Sequence, residues 1–121
     1  MSAGNKHKAK GTAYEKLIHD GLVALGLNAE RMGNYGKDHG NEDVGDIHLR
    51  SGFGTIVIQA KNRKQHNVGQ WLREAGEQAA RVPGAPLPVV VYKLRGQPAF
   101  LDQVVSMRME TLVRMLAMEM L

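Results

Sequence analysis

The chain contains no cysteine. Disulfide bridges and thiolate metal sites are therefore excluded, and the composition suits a reducing cytosol. No stretch approaches the roughly 18 to 20 consecutive apolar residues that a membrane-spanning helix needs. The opening MSAGNKHKAKG carries basic residues with no apolar run behind them, which is not the pattern of a secretory leader. No internal repeat is visible. The expectation from these absences is a cytoplasmic protein with no membrane partner.

What is present fits a single globular domain. A chain of 121 residues can bury one core and is too short for two. Its 43% hydrophobic and 23% charged residues are ordinary for such a domain. Sixteen Lys plus Arg against twelve Asp plus Glu leave a net charge of +4, a modest excess that suits a polyanion such as nucleic acid.

Residues 1–10, with Lys6, Lys8 and Lys10 around His7, read as a flexible basic arm preceding a domain at 11–121. Tyr14, Leu17, Ile18, Leu22 and Leu25 then recur at helical spacing, with Thr12 placed to cap and Gly26 to stop. Residues 27–32 read as a short strand or extended link, and the glycine-rich polar stretch 33–45 as a loop of functional length. Residues 46–49 and 55–60 read as strands joined by a turn at Ser51-Gly52. Residues 68–81 have helical spacing and end at the PGAP segment. The apolar run 87–92 is expected to be a buried strand, 99–101 a short edge strand, and 102–121 a last helix. This order predicts an α/β fold, a central mixed β-sheet flanked by α-helices.

The chemistry-bearing residues are Glu15, Asp46, Gln59 and Lys61. Gln59 and Lys61 stand two apart on one strand and share a face. If the strands at 46–49 and 55–60 form a hairpin, Asp46 meets them at one end of the sheet. A carboxylate, an amide or main-chain oxygen at position 59 or 60, and a glutamate from a nearby helix suit Mg²⁺. A lysine beside them would orient or deprotonate a water, or offset charge in the transition state.

The run GDIHLRSGFGTIVIQAK resembles the PD-(D/E)XK nuclease motif, and KGTAYEKLIHDGLVALG resembles the first helix of archaeal and phage Holliday-junction resolvases. The resemblance covers about residues 10–95 and implies a restriction-endonuclease-like core. It also implies a metal-dependent endonuclease that resolves four-way DNA junctions by paired nicks, in a prokaryotic or phage-infected cytoplasm. By position it assigns Glu15 as a supporting carboxylate, Asp46 as metal ligand and Lys61 as the motif lysine. The implied metal set is Asp46, Gln59, Glu15 and the Ala60 main-chain carbonyl, holding Mg²⁺ with Mn²⁺ able to substitute, and no small-molecule cofactor. Two departures stand out. Gly45 replaces the usual proline, a small change of turn chemistry. Gln59 replaces the usual acid, and a neutral amide binds a cation less strongly. Asp38, Glu42 and Asp43 are available to supply a further carboxylate.

Lys8, Lys10, Arg31, Lys37, Arg63, Lys64 and Arg73 are the expected DNA contacts. His39, His48 and His66 match no common zinc or HNH spacing. Trp71 and Leu72 are expected in the core. Five of seven methionines fall between Met107 and Met120, where Val105, Met109, Leu112, Leu116 and Met120 form one apolar stripe and Val104, Met107, Met115 and Met118 widen it. One helix on one sheet cannot bury so wide a surface, which points to a homodimer through this segment or to another protein partner. Alternative functions are a general nuclease on branched or nicked DNA, and a catalytically weak DNA-binding module of the same fold.

Overall fold

The structure is a computed structural model that describes residues 3–33 and 43–120, with side chains from Lys10 onward. Helix α1 (Ala3–Ala24) leads into β1 (Asn28–Arg31), followed by the hairpin β2 (Ile47–Ser51) and β3 (Gly54–Lys61). Helix α2 (Val68–Ala80) precedes β4 (Leu87–Tyr92). A 3₁₀ turn (Phe100–Asp102), strand β5 (Val104–Ser106) and helix α3 (Met109–Glu119) complete the chain. The five strands lie in sequence order in one mixed sheet; only β3 and β4 run parallel, joined through α2. This is the expected α/β class. Among the described residues, no helix is long and apolar enough to cross a membrane.

Alternation along the strands divides the core into two layers. Ile47, Ile56, Ile58, Ala60, Leu87, Val89 and Val91 face α1, where Tyr14 and Ile18 close the layer. Val90 faces the other way, onto Trp71 and Ala75 of α2. β4 is apolar throughout because both of its faces are covered. Helix α1 ends as its glycine implies: Gly26 takes φ +83°, its N–H donates to Val23 O, and the Leu27 N–H donates to Leu22 O.

Four expectations change. Helix α1 starts at Ala3, so residues 3–10 extend the helix instead of forming an arm, and Thr12 lies inside it. Leu25, just past the helix, is exposed. The expected strand at 99–101 is a 3₁₀ turn that tucks Phe100 against Gly21, where a Cβ would come within 2.3 Å of the ring. The expected helix over 102–121 is divided, because Val104–Ser106 pair with the free edge of β4 and only Met109–Glu119 are helical. On that helix Thr111 is buried and Met115 packs on the core, while Met109, Leu112 and Leu116 are exposed, as are Met120 just past it and Val105 on β5.

Gly45 sets the entry to β2. Its φ is +93°, and a Cβ there would lie 2.6 Å from Val57 Cγ1. Proline, fixed near φ −65°, is incompatible with this backbone, so the glycine is a requirement of the turn and not a minor variation. The turn is tied down by Asp43: its Oδ1 accepts from the Gly45 N–H at 3.0 Å, its Oδ2 from Gln78 Nε2 at 2.9 Å, and its carbonyl from Arg81 Nη1 at 2.7 Å. Asp43 is thus engaged in structure and does not supply a site carboxylate. Gly45→Ala is expected to cost about 2 kcal/mol or more in urea denaturation. Gly52→Ala, where nothing lies within 4 Å of an added Cβ, should cost far less. Equal midpoints for the two variants would contradict this reading of the turn.

Candidate active site

The β2–β3 register pairs Ile47 with Ile58, which brings Asp46 alongside the Gln59–Lys61 end of β3. Both backbone groups of Asp46 are held by its neighbours: its N–H donates to Ile58 O at 3.0 Å and its carbonyl accepts from Met32 N at 2.8 Å. With the main chain thus fixed, Oδ2 accepts from the Ala60 N–H at 2.8 Å. Tyr14 and Ile18 seat α1 on the sheet, and this packing brings Glu15 up to Asp46. Arg31 on β1 braces Glu15 from outside at 3.4 Å and also reaches the Thr12 carbonyl.

Gln59 and Lys61 sit on the opposite face, toward α2, as alternation requires. Gln59 is only 4% exposed, and its Nε2 donates to Glu74 Oε2 at 2.9 Å. Lys61 Nζ lies 3.6 Å from the same oxygen. Asp46 is thus met by a carboxylate from α1, while Glu74 of α2 meets Gln59 and Lys61 on the other face.

The electrostatics follow from burial. Asp46 is pushed up to about 7, first by removal from water and then by the negative charge of Glu15; the Ala60 N–H and the Lys61 ammonium pull the other way and only partly compensate. Glu74 is held below the usual carboxylate range, chiefly by the hydrogen bond from Gln59 and then by Lys61. Two neighbouring carboxylates with little water require a proton or a cation between them. The Gln59 Oε1 atom is buried with no hydrogen-bond partner in the described structure.

These groups fit a hard divalent cation. Mg²⁺ takes oxygen ligands, keeps several waters and is commonly held by one or two carboxylates. Asp46 and Glu15 would supply the carboxylates, and Gln59 Oε1 is an amide oxygen with no hydrogen-bond partner among the described residues. Ala60 turns its N–H, and with it its carbonyl, to the side of β3 that meets Asp46. Among the described residues, no group of three or more His, Asp or Glu side chains gathers as a metal cluster, so the protein share of the ligands would be small.

Of the expected DNA contacts, Lys10 is exposed on α1, and Arg63 and Lys64 are exposed just beyond β3. Arg31 is spent on Glu15 and is not a free surface cation. Arg73 lines a separate cleft between α2 and α3 with Arg108 and Arg114, apart from the Asp46 group. The Lys8 side chain and all of Lys37, Asp38, His39 and Glu42 lie outside the described residues. His48 is buried, with its Nε2 2.7 Å from Val44 O, and the His66 ring meets Tyr92 edge-on and lies tilted against Trp71. Trp71 is in the core as expected, with Leu72 packed against it.

Sequence reasoning missed Glu74 and the Gln78–Asp43 tie. Gln78 continues the buried stripe of Trp71 and Ala75, and a polar residue on such a stripe is the one available signal. Glu74 flanks that stripe, and nothing in the spacing said which strand residue it would meet.

No known protein family, curated protein or solved structure matches the chain. The residues and their geometry therefore carry the functional argument.

A carboxyl whose folded pKa exceeds its unfolded value near 3.8 binds its proton more tightly when folded. Its contribution is fully present below that value and is lost as pH rises toward about 7. In EDTA, wild-type protein is expected to lose stability relative to Asp46→Asn between pH 4 and 7, by an amount on the order of a few kcal/mol. Thermal melts of the two proteins across this range measure the difference. Parallel curves would contradict the buried-pair account.

Proposed function

We propose that the chain is a divalent-metal-dependent DNA endonuclease of the PD-(D/E)XK type, acting on four-way junctions. The observation that carries the reading is the Asp46–Glu15 carboxyl pair at the end of the sheet, with the Asp46 carboxyl anchored by the Ala60 N–H and with Gln59 and Lys61 on the adjoining end of β3.

Asp46 and Glu15, with Gln59 Oε1 and the Ala60 carbonyl, would hold Mg²⁺ or Mn²⁺. When bound, the ion supplies Lewis-acid polarisation of a phosphoryl oxygen and a more acidic water. The chain's own residues do the rest. Lys61 directs its ammonium to the reacting centre, orienting the attacking water or offsetting charge on the phosphate; only as the neutral amine would it take that water's proton. Arg63, Lys64 and Lys10 grip phosphates on either side of the scissile bond, which gives affinity without reading sequence. Arg31 keeps Glu15 turned inward.

Paired nicking of a junction needs two sites in fixed relation, which a two-fold dimer provides. The exposed apolar residues of β5 and α3 are the surface we assign to that dimer. A second reading, a DNA-binding module with weak metal affinity, draws on the neutral Gln59 and the small set of described carboxylates.

Labelled four-way junction, duplex and single-stranded DNA, each with Mg²⁺ and with EDTA, separate these readings. Paired symmetric nicks in the junction alone are expected, lost in EDTA and in Asp46→Ala, with junction binding retained by that variant. Cutting of all three substrates would remove the junction claim and keep the nuclease. Binding with no cutting in Mg²⁺ or Mn²⁺ would favour the second reading, and cutting unchanged in Asp46→Ala would refute the site.

A further inference from the structure

We propose that Glu74 is a positioning residue of this site, fixing the Gln59 amide so that Oε1 is presented as a neutral oxygen ligand and anchoring the Lys61 ammonium beside it. The inference rests on the metal-dependent reading above and extends it to a residue outside the PD-(D/E)XK-like run.

A carboxylate only accepts hydrogen bonds. Facing Glu74, the Gln59 amide must therefore turn its nitrogen toward that side chain, and the 2.9 Å contact between Nε2 and Oε2 is the result. The amide oxygen is then forced the other way. It is buried with no hydrogen-bond partner among the described residues, which leaves it available as a ligand oxygen.

Glu74 is itself held. Its Oε1 accepts from Gln70 Nε2 at 3.2 Å, and Gln70 Oε1 accepts from Asn67 Nδ2 at 2.7 Å. A row of oriented amides thus runs from the start of α2 to the strand, and each fixes the orientation of the next. The same Glu74 oxygen lies 3.6 Å from Lys61 Nζ, so the negative charge that position 59 lacks stands one side chain away. Gln59 and Glu74 together then divide between them what one acidic side chain would do: the amide ligates and the carboxylate holds the lysine.

The test is calorimetric titration of Mn²⁺ into wild-type protein and Asp46→Ala, Glu74→Gln, Gln59→Glu and Gln59→Glu/Glu74→Gln variants, with melting in EDTA as the folding control. Glu74 is partly exposed, so Glu74→Gln is expected to fold normally. It should bind Mn²⁺ about tenfold to a hundredfold more weakly than wild type, the usual effect of losing a group that orients a ligand. Gln59→Glu alone sets two carboxylates face to face and should melt lower in EDTA than wild type. The double variant puts the carboxylate on the strand, relieves that repulsion and should recover wild-type affinity or better, a rescue that a merely structural Glu74 would not produce. Wild-type affinity in Glu74→Gln, or no recovery in the double variant, would overturn the proposal and leave the metal site standing. No saturable binding by wild type, or binding unaffected by Asp46→Ala, would overturn the metal reading and this inference with it.

Discussion

The hydrogen bond from the Ala60 N–H to the Asp46 carboxylate is the contact on which the site depends. It ties the residue just before β2 to Ala60, the last but one residue of β3, and it holds the carboxylate where Glu15 must crowd it. Without that bond, the side chain of a residue at a strand entrance would swing toward water, and the two acids would separate. With it, burial and like charge raise Asp46 to about 7, so the folded protein stores a local conflict that a cation would relieve.

Much of the surrounding fold maintains this arrangement. Tyr14 and Ile18 press α1 onto the sheet and so set the position of Glu15. The Tyr14 hydroxyl also donates to Gln103 Oε1 at 2.7 Å, linking α1 to the turn before β5. From the other face, Trp71 and Ala75 seat α2, which then reaches the site at Glu74 and the approach to Asp46 at Gln78 and Arg81. Gly45 allows the chain to turn into β2 directly over Val57. Both layers of the core thus end on the same few polar residues, a common arrangement in which packed elements orient groups that are individually unfavourable to bury.

The parts of this that could be read in advance were those with local periodicity. The alternation Ile56, Ile58 against Val57, Gln59 and the turn at Ser51-Gly52 were enough to foresee the hairpin, and with it the placing of Asp46 beside the Gln59–Lys61 end of β3. The stripe of Trp71 and Ala75 gave α2, and the β-branched run gave β4. The parts that could not be read depend on tertiary context. Val104–Ser106 carry the apolar pattern of the helix that follows, and only the unpaired edge of β4 makes them a strand. The need for glycine at position 45 comes from Val57, twelve residues away in sequence but beside it in space. Glu74 is an ordinary helix-surface acid until the sheet register sets Gln59 against it. The neutral residue at position 59 looked like a weakness in the sequence, and its meaning changes once its neighbour is known.

The central claim is that the Asp46–Glu15 pair is built around a divalent cation. Crystals grown or soaked in Mn²⁺ and measured for anomalous scattering test it most directly. The account predicts one strong peak between the two carboxylates, with ligand oxygens at about 2.0–2.2 Å and the Gln59 amide oxygen among the nearest atoms. A structure at millimolar Mn²⁺ with no peak there, and the two carboxyl groups still in contact, would contradict it.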